Sequence, residues 1–334
     1  MKKRNIIVLV TLLCCYTTLS AGTWRVNNSP SVNADFNDLE TALESDKVLA
    51  GDTLYVEGSP YDYAINDIVK KVTLIGPGYY LTENPNTQEN KAEATIKPQS
   101  GQSLYILAEG TVCEGLTFAS SNVYLYIGAD NVTLRKCWSN STTFIEWASK
   151  TSGIQAIRNT VITQCMVGSI QGNNNNGYYD YSDGAHITNN IITSGGISNL
   201  YNAIIEYNTC IGMGGGTYKS IYNVDGSGSI RHNIIRYELS ASDIGTMTQE
   251  NNYVFETADF VSNSTSSDGQ YQLATTSALK TNGPDGKEVG AFGGSSPYIL
   301  SGLPNVPHIY EIIAPTSASA ASGLDVTVKI ATEK

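Results

Sequence analysis

Six short segments between residues 132 and 254 repeat one phrase: VTLRKCW, VITQCMV, HITNNII, IIEYNTCI, SIRHNII and TQENNYVF. Each runs alternating β-formers into Asn or Cys and then returns to apolar residues, as successive coils of a parallel β-helix do. With Gly115, Cys137, Cys165, Asn190, Asn208, Asn233 and Asn252 taken as bend residues, the intervals are 22, 28, 25, 18, 25 and 19 residues. One turn of three short strands and three bends needs roughly 20 residues, and longer intervals hold loops. Leu134, Ile162, Ile187, Ile205 and Ile230 then fall in one inward column. Gln249 breaks it, which marks either a weaker last coil or a slipped alignment. Asn190, Asn208, Asn233 and Asn252 are expected to form a ladder of side-chain amides, stacked as Asn stacks in cross-β structures.

Lys2, Lys3 and Arg4, the apolar run from Ile6 to Leu13 and the small residues up to Ala21 have the order of a secretory signal peptide, with cleavage expected near Ala21 or Gly22. The apolar run is too short to span a bilayer. Leu13, bulky where a lipid-anchor signal takes a small residue, argues against anchoring through Cys14 or Cys15. Loss of residues 1–21 takes the net charge from −11 to −14. An acidic exported protein disfavours nucleic acid and anionic membranes as partners, and polyanionic glycans too unless a metal inverts the local field. A secreted, periplasmic or cell-surface monomer is expected. Only 15% of the side chains are charged, so residues 22–267 suit one elongated repeat domain, followed by a closing segment over 268–334.

Near the start, FNDLETALES places Phe36, Leu39, Ala42 and Leu43 at helical spacing, with Asn33 and Asp35 as candidate caps, and predicts a short helix near 36–45. AGDTLYVEGSPYDY and KKVTLIGPGYYL follow as strands punctuated by Gly and Pro. A short helix, then Gly-Asp-Thr-Leu-Tyr-Val, then Val-Thr-Leu-Ile-Gly closely resembles the N-terminal entry of the pectin-lyase-like right-handed parallel β-helix superfamily. The resemblance covers roughly residues 33–260. It implies an all-β, single-stranded right-handed parallel β-helix with a capping helix on its open end, where bare strand edges need cover. From Asp268 the phrase stops. A Gly- and Pro-rich stretch leads to two strands that are expected to cap the C-terminal end or lie along the coil.

Four cysteines remain after processing, Cys113, Cys137, Cys165 and Cys210, all at coil positions. Stacking on coils about 4.8 Å apart gives parallel Cβ vectors, which suit buried thiols better than a relaxed disulfide.

The insert over 171–186, QGNNNNGYYDYSDGAH, is the most conspicuous interruption of the repeat. Tyr178, Tyr179, Tyr181 and His186 are candidates for stacking on or bonding to sugar, and Asp180 and Asp183 are candidate calcium ligands. A lyase needs a base beside a uronate carboxylate and a cation to neutralise it, for which Lys150, Arg158 and Asp183 are the nearest candidates. The insert also has a purely structural alternative, an Asn-rich turn whose tyrosines fold back on the coil. The resemblance supplies no catalytic motif: the Arg-x-Pro-x-x-Arg segment of one pectate-lyase family is missing, and only Ser182-Asp183-Gly184 loosely echoes the polygalacturonase-like hydrolases. Arg135, Thr163, Thr188, Glu206, Arg231 and Glu250 share an outward column in which charges alternate, a surface ladder worth about 0.2–1 kcal/mol per pair. Lys136, Gln164, Asn189, Tyr207 and His232 form the next column, expected to face a groove or solvent. His308 lacks neighbours at zinc-ligand spacing. These features favour a polysaccharide-binding or structural surface protein over a polysaccharide lyase.

Overall fold

A computed structural model of the chain describes residues 21–101, 103–118, 124–139, 156–172, 182–212, 219–261, 264–317 and 323–333, and the backbone of 144–147. Successive strands pair in parallel and form three long sheets. The first has ten strands, from Thr23–Val26 to Thr248–Glu250; the second nine, from Tyr63–Ile65 to Tyr253–Val254; the third six, from Ser103–Ile106 to Ile221–Tyr222. A coil visits the sheets in turn, as in Val112–Glu114, Thr117–Phe118 and Tyr124–Ile127. This is the expected parallel β-helix.

Period-2 alternation puts the middle residue of each first-sheet strand inside. The register stacks Leu54, Leu74, Cys113, Leu134, Ile162, Ile187, Ile205, Ile230 and Gln249 in one column. From Leu54 to Ile230 every member is fully buried, and each such side chain stabilises by about 1.5–3 kcal/mol. Gln249 pairs with Ile230, so the alignment has not slipped. It is an exposed polar residue on the last rung, where a short helix, Ala241–Ile244, and the residues after it add Ile244 and Met247 to the core.

The helix at the other end spans Leu39–Glu44 and buries Leu39, Ala42 and Leu43. Its cap is Asp38, not Asn33 or Asp35: Asp38 directly precedes the first apolar residue, and its Oδ1 accepts from Glu40 N at 3.0 Å. Asp35 instead accepts from Arg25 N at 2.8 Å.

Two residues join the first sheet to the second in each repeat coil, and the first of the pair is left-handed: Gly115, Lys136, Gln164, Asn189, Tyr207, His232 and Asn251 all have φ between 51° and 65°. Gly115 therefore belongs to this column, and Leu116 is the equivalent of Cys137, one residue later than the repeat suggested. The second residue carries the ladder. Asn190 Nδ2 donates to Ile162 O, and its N and Nδ2 both donate to Asn208 Oδ1 at 3.0 Å. Asn208 and Asn233 repeat the pattern through to Asn252. Cysteines continue it toward the N-terminus. Cys165 Sγ meets Leu134 O and Cys137 Sγ meets Cys113 O, the place in which each Asn amide meets a carbonyl of the preceding coil. Cys137 N in turn donates to Cys165 Sγ at 3.4 Å. All four thiols are free and buried, and burial pushes those of Cys113, Cys137 and Cys210 far above the usual thiol range.

The segment before the terminal strands lies along the coil. It runs back over the left-handed column, Gly290 N donating to His232 O, Asn189 Nδ2 to Ala291 O and Gly293 O, Gln164 Nε2 to Pro297 O, and Lys136 Nζ to Asn305 Oδ1. At its centre Tyr79 and Tyr298 share a 2.5 Å hydroxyl bond, and Tyr298 donates to the fully buried Asp268. Asn84 Nδ2 and Ser301 N also donate to that carboxylate. Gly302 closes the strap: at φ +53°, a Cβ there would stand 2.3 Å from the Tyr79 ring and 2.6 Å from Lys136 O. The terminal strands, His308–Ile313 and Thr327–Ala331, form an antiparallel ribbon. It is anchored at the loop of residues 86–89 by Glu89 N donating to Ile309 O and by His308 Nε2 against Asn86 O.

Candidate functional site

Of the residues expected to act from the insert, Lys150, Tyr178, Tyr179, Asp180 and Tyr181 lie outside the described residues. Arg158 and Asp183 sit on the bend between the third sheet and the first. Ile157–Arg158 pairs in parallel with Ser182–Asp183, which brings Arg158 Nε to 3.7 Å from Asp183 Oδ2. Asn202 Nδ2 donates to Asp183 Oδ1 at 2.8 Å, and Arg158 N donates to Asp130 Oδ1. This bend has its own left-handed column of Asn131, Asn159, Gly184, Asn202 and Gly226, so Ser182-Asp183-Gly184 holds the place of an ordinary coil bend. Its last described carboxylate, Asp225, is held below the usual range by hydrogen bonds from Thr246 and Gly226 N. His186 is exposed on the outer face of the first sheet, between Val161 and Ile204. No group of three His, Cys, Asp or Glu able to hold a metal occurs among the described residues.

The outward charge column is a stacking ladder. Arg231 closes on Glu206 at 2.7 Å and Thr188 Oγ1 bonds Thr163 Oγ1 at 3.0 Å. Arg135 pairs with Glu114 at 2.6 Å. The next column does not face an open groove, because the strap covers it. Lys136 is buried 3.7 Å from Glu114, and burial lowers its pKa against the pull of that carboxylate. His232 is buried against the Tyr207 ring at 5.0 Å, and burial lowers its pKa.

An aromatic cluster not anticipated from the sequence lies on the outer face of the third sheet. Tyr105 and Tyr126 are register partners on adjacent coils and stack at 4.7 Å with an interplanar angle of 18°. Tyr124, two residues earlier on the same face, is 5.9 Å from Tyr126. Tyr105 ends the stack and lines a cleft of about 360 Å³ together with Asn66, Asp67, Pro98, Ser100, Gly101 and Ser103. Asp67 Oδ1 accepts from Tyr105 N at 3.2 Å, and Asn66 Nδ2 is held by Glu40 and Gln99. The cleft thus combines one aromatic wall with an amide, a carboxylate and two hydroxyls, the mixture that small-ligand pockets use to orient a polar molecule. Its signal in the sequence is the alternation SLYI and YLYI, which reads as one outward Tyr column, Tyr105 over Tyr126, beside a Ser103–Tyr124 column once the third strand of each coil is placed.

A second groove, of about 460 Å³, lies at the start of the first sheet between Tyr55, Ile75 and the Arg25–Glu57 ion pair on one side and Gln88, Asn90 and Val306 on the other. Among the described residues no helix is long and apolar enough to cross a membrane. No protein-family model, curated protein or solved structure matches the chain.

Proposed function

We propose that the protein is an exported β-helix of the pectin-lyase-like kind that binds polysaccharide on the outer face of its third sheet. The observation that carries this reading is the Tyr105–Tyr126 stack ending in a polar cleft. A sugar ring presents a C–H face and a rim of hydroxyls. The Tyr105 ring serves the first, while Asn66, Asp67, Ser100 and Ser103 serve the second. The rigid sheet sets Tyr105 and Tyr126 on two adjacent coils, which suits a chain ligand. The negative net charge, −11 for the whole chain and −14 without residues 1–21, favours a neutral glycan over a polyanionic one. The export signal and the tyrosines of the insert belong to this proposal as sequence features. A lyase would draw on Lys150, which lies outside the described residues, or on Arg158 and Asp183, which pair with each other, Asp183 also accepting from Asn202 of the next coil.

The test is affinity electrophoresis of the mature chain through a panel of neutral and acidic polysaccharides. Retardation by a neutral glycan, reduced at least tenfold in affinity by Tyr105→Ala and by Asp67→Ala but unchanged by Tyr55→Ala, supports the proposal. Absence of retardation across the panel, or retardation that Tyr105→Ala leaves intact, refutes it. An absorbance rise near 235 nm on uronate polymers with calcium would put the lyase in its place.

A further inference from the structure

The C-terminal ribbon is built unlike the coil. Ile309 lies opposite Ile330 and Ile312 opposite Val328, and opposed residues of an antiparallel pair project to the same face. Ile309 and Ile312 are three apart and would point to opposite faces of a regular strand. The irregularity between Ile309 and Glu311 absorbs the extra residue, as a bulge does, and returns Ile312 to the face of Ile309. One face therefore collects Ile309, Ile312, Val328 and Ile330, which are 39, 48, 46 and 62% exposed. The other face carries the Lys329–Glu311 ion pair at 2.5 Å, the seated His308 and, at its end opposite Thr327, Ile313, which is 50% exposed. Nothing among the described residues covers the apolar face.

We infer that this face is an interface between two copies of the chain, whose ribbons pack against each other to form a two-layered, four-stranded unit. Three observations select a second copy. The face carries no charge, so it matches itself without a counter-charge, whereas chains of net charge −11 repel one another elsewhere. Leu324 and Val326 are also exposed just upstream. With them each copy offers at most about 550 Å², or about 1,100 Å² for the pair, the range of weak, reversible association. Finally, a two-stranded ribbon anchored only near His308 and Ile309 is marginal in water, and a second layer about 10 Å away supplies the missing core. This departs from the monomer expected from the sequence.

Sedimentation velocity of the mature chain over about 1–200 μM spans the range such an area supports. A concentration-dependent monomer–dimer equilibrium that Val328→Lys weakens at least tenfold, with the melting temperature of the coil unchanged, supports the inference. Cysteine placement tests the geometry separately, because the four native thiols of the mature chain are buried. Ile330→Cys should oxidise to a covalent dimer, and Thr327→Cys, on the opposite face, should not. A monomer at every concentration, a dimer indifferent to Val328→Lys, or equal cross-linking of both cysteines overturns it. A ribbon that serves a different protein gives the first of these results.

Discussion

Two bends of the coil use the same backbone device and live in different surroundings. The bend between the first and second sheets and the bend between the third and first each place a left-handed residue on every repeat, at Lys136, Gln164, Asn189, Tyr207 and His232 on one side and at Asn131, Asn159, Gly184, Asn202 and Gly226 on the other. The first bend is sealed by buried amides and thiols and then roofed by the strap. The second is open, and its stacked side chains are ion pairs and amides in contact with water. Backbone conformation alone thus does not set what a bend is worth. The groups around it do, because a buried polar group left without a partner costs far more than an exposed one.

The sharpest way to break this comparison is a pair of glycine substitutions at similar φ. Gly302→Ala places a methyl group against the Tyr79 ring and Lys136 O and should cost about 4 kcal/mol, from left-handed strain and overpacking together. Gly184→Ala has φ +70° and meets nothing closer than Asn159 Oδ1 at 3.6 Å, so about 1 kcal/mol is expected. Urea unfolding of both measures the difference, and equal losses would mean that the strap is not docked as described.

Next in size are the ladder amides. Asn208→Ala orphans the buried Asn190 N and removes the amide donor from Ile187 O and should cost about 3 kcal/mol. Asn159→Ala, whose Nδ2 reaches Asn131 at the exposed surface, should cost about 1 kcal/mol, because Ala tolerates the left-handed backbone there less well than Asn.

Alkaline stability gives a smaller and more distributed signal. Burial raises the thiols of Cys113, Cys137 and Cys210 and the hydroxyls of Tyr79 and Tyr298, and it takes Tyr63 to about 12. These groups keep their protons in the folded chain, whereas the unfolded chain releases them from about pH 8.5 for Cys and 10 for Tyr. The unfolded state then binds fewer protons, so stability is full below pH 8.5 and falls as pH rises beyond it. A melting temperature that holds or climbs between pH 9 and 11 would contradict the buried placement. The smallest effect is expected for Arg158→Ala, whose pair with Asp183 is mostly exposed. A loss within about 0.5 kcal/mol is expected, and a larger one would show that the open bend matters more than its surroundings imply.

What the sequence disclosed follows the same division. The inward column and the Asn ladder were legible because one residue type recurs at one place in each coil, from Leu134 to Ile230 and from Asn190 to Asn252. Gly115 was placed one residue early because its coil has Leu, not Asn or Cys, at the ladder position, leaving nothing to mark the register. The strap was illegible: it accepts from Asn189 and Gln164 through its own main-chain carbonyls at Ala291, Gly293 and Pro297, and a segment that bonds through carbonyls carries no periodic side-chain pattern. His232 was therefore expected in the open. The tyrosine face was written in SLYI and YLYI, but the third strand has no ladder residue to anchor its alignment, so Tyr105 and Tyr126 could not be put side by side. Composition points instead to the insert and to Asp183, which the fold uses to hold neighbouring bends together.

The most direct test of the functional account is the crystal structure of the mature chain with the oligosaccharide that retards it best. The account predicts a sugar ring against Tyr105, its hydroxyls bonded to Asn66, Asp67, Ser100 or Ser103. A sugar bound instead at the 171–186 insert, with the third-sheet cleft empty, would contradict it.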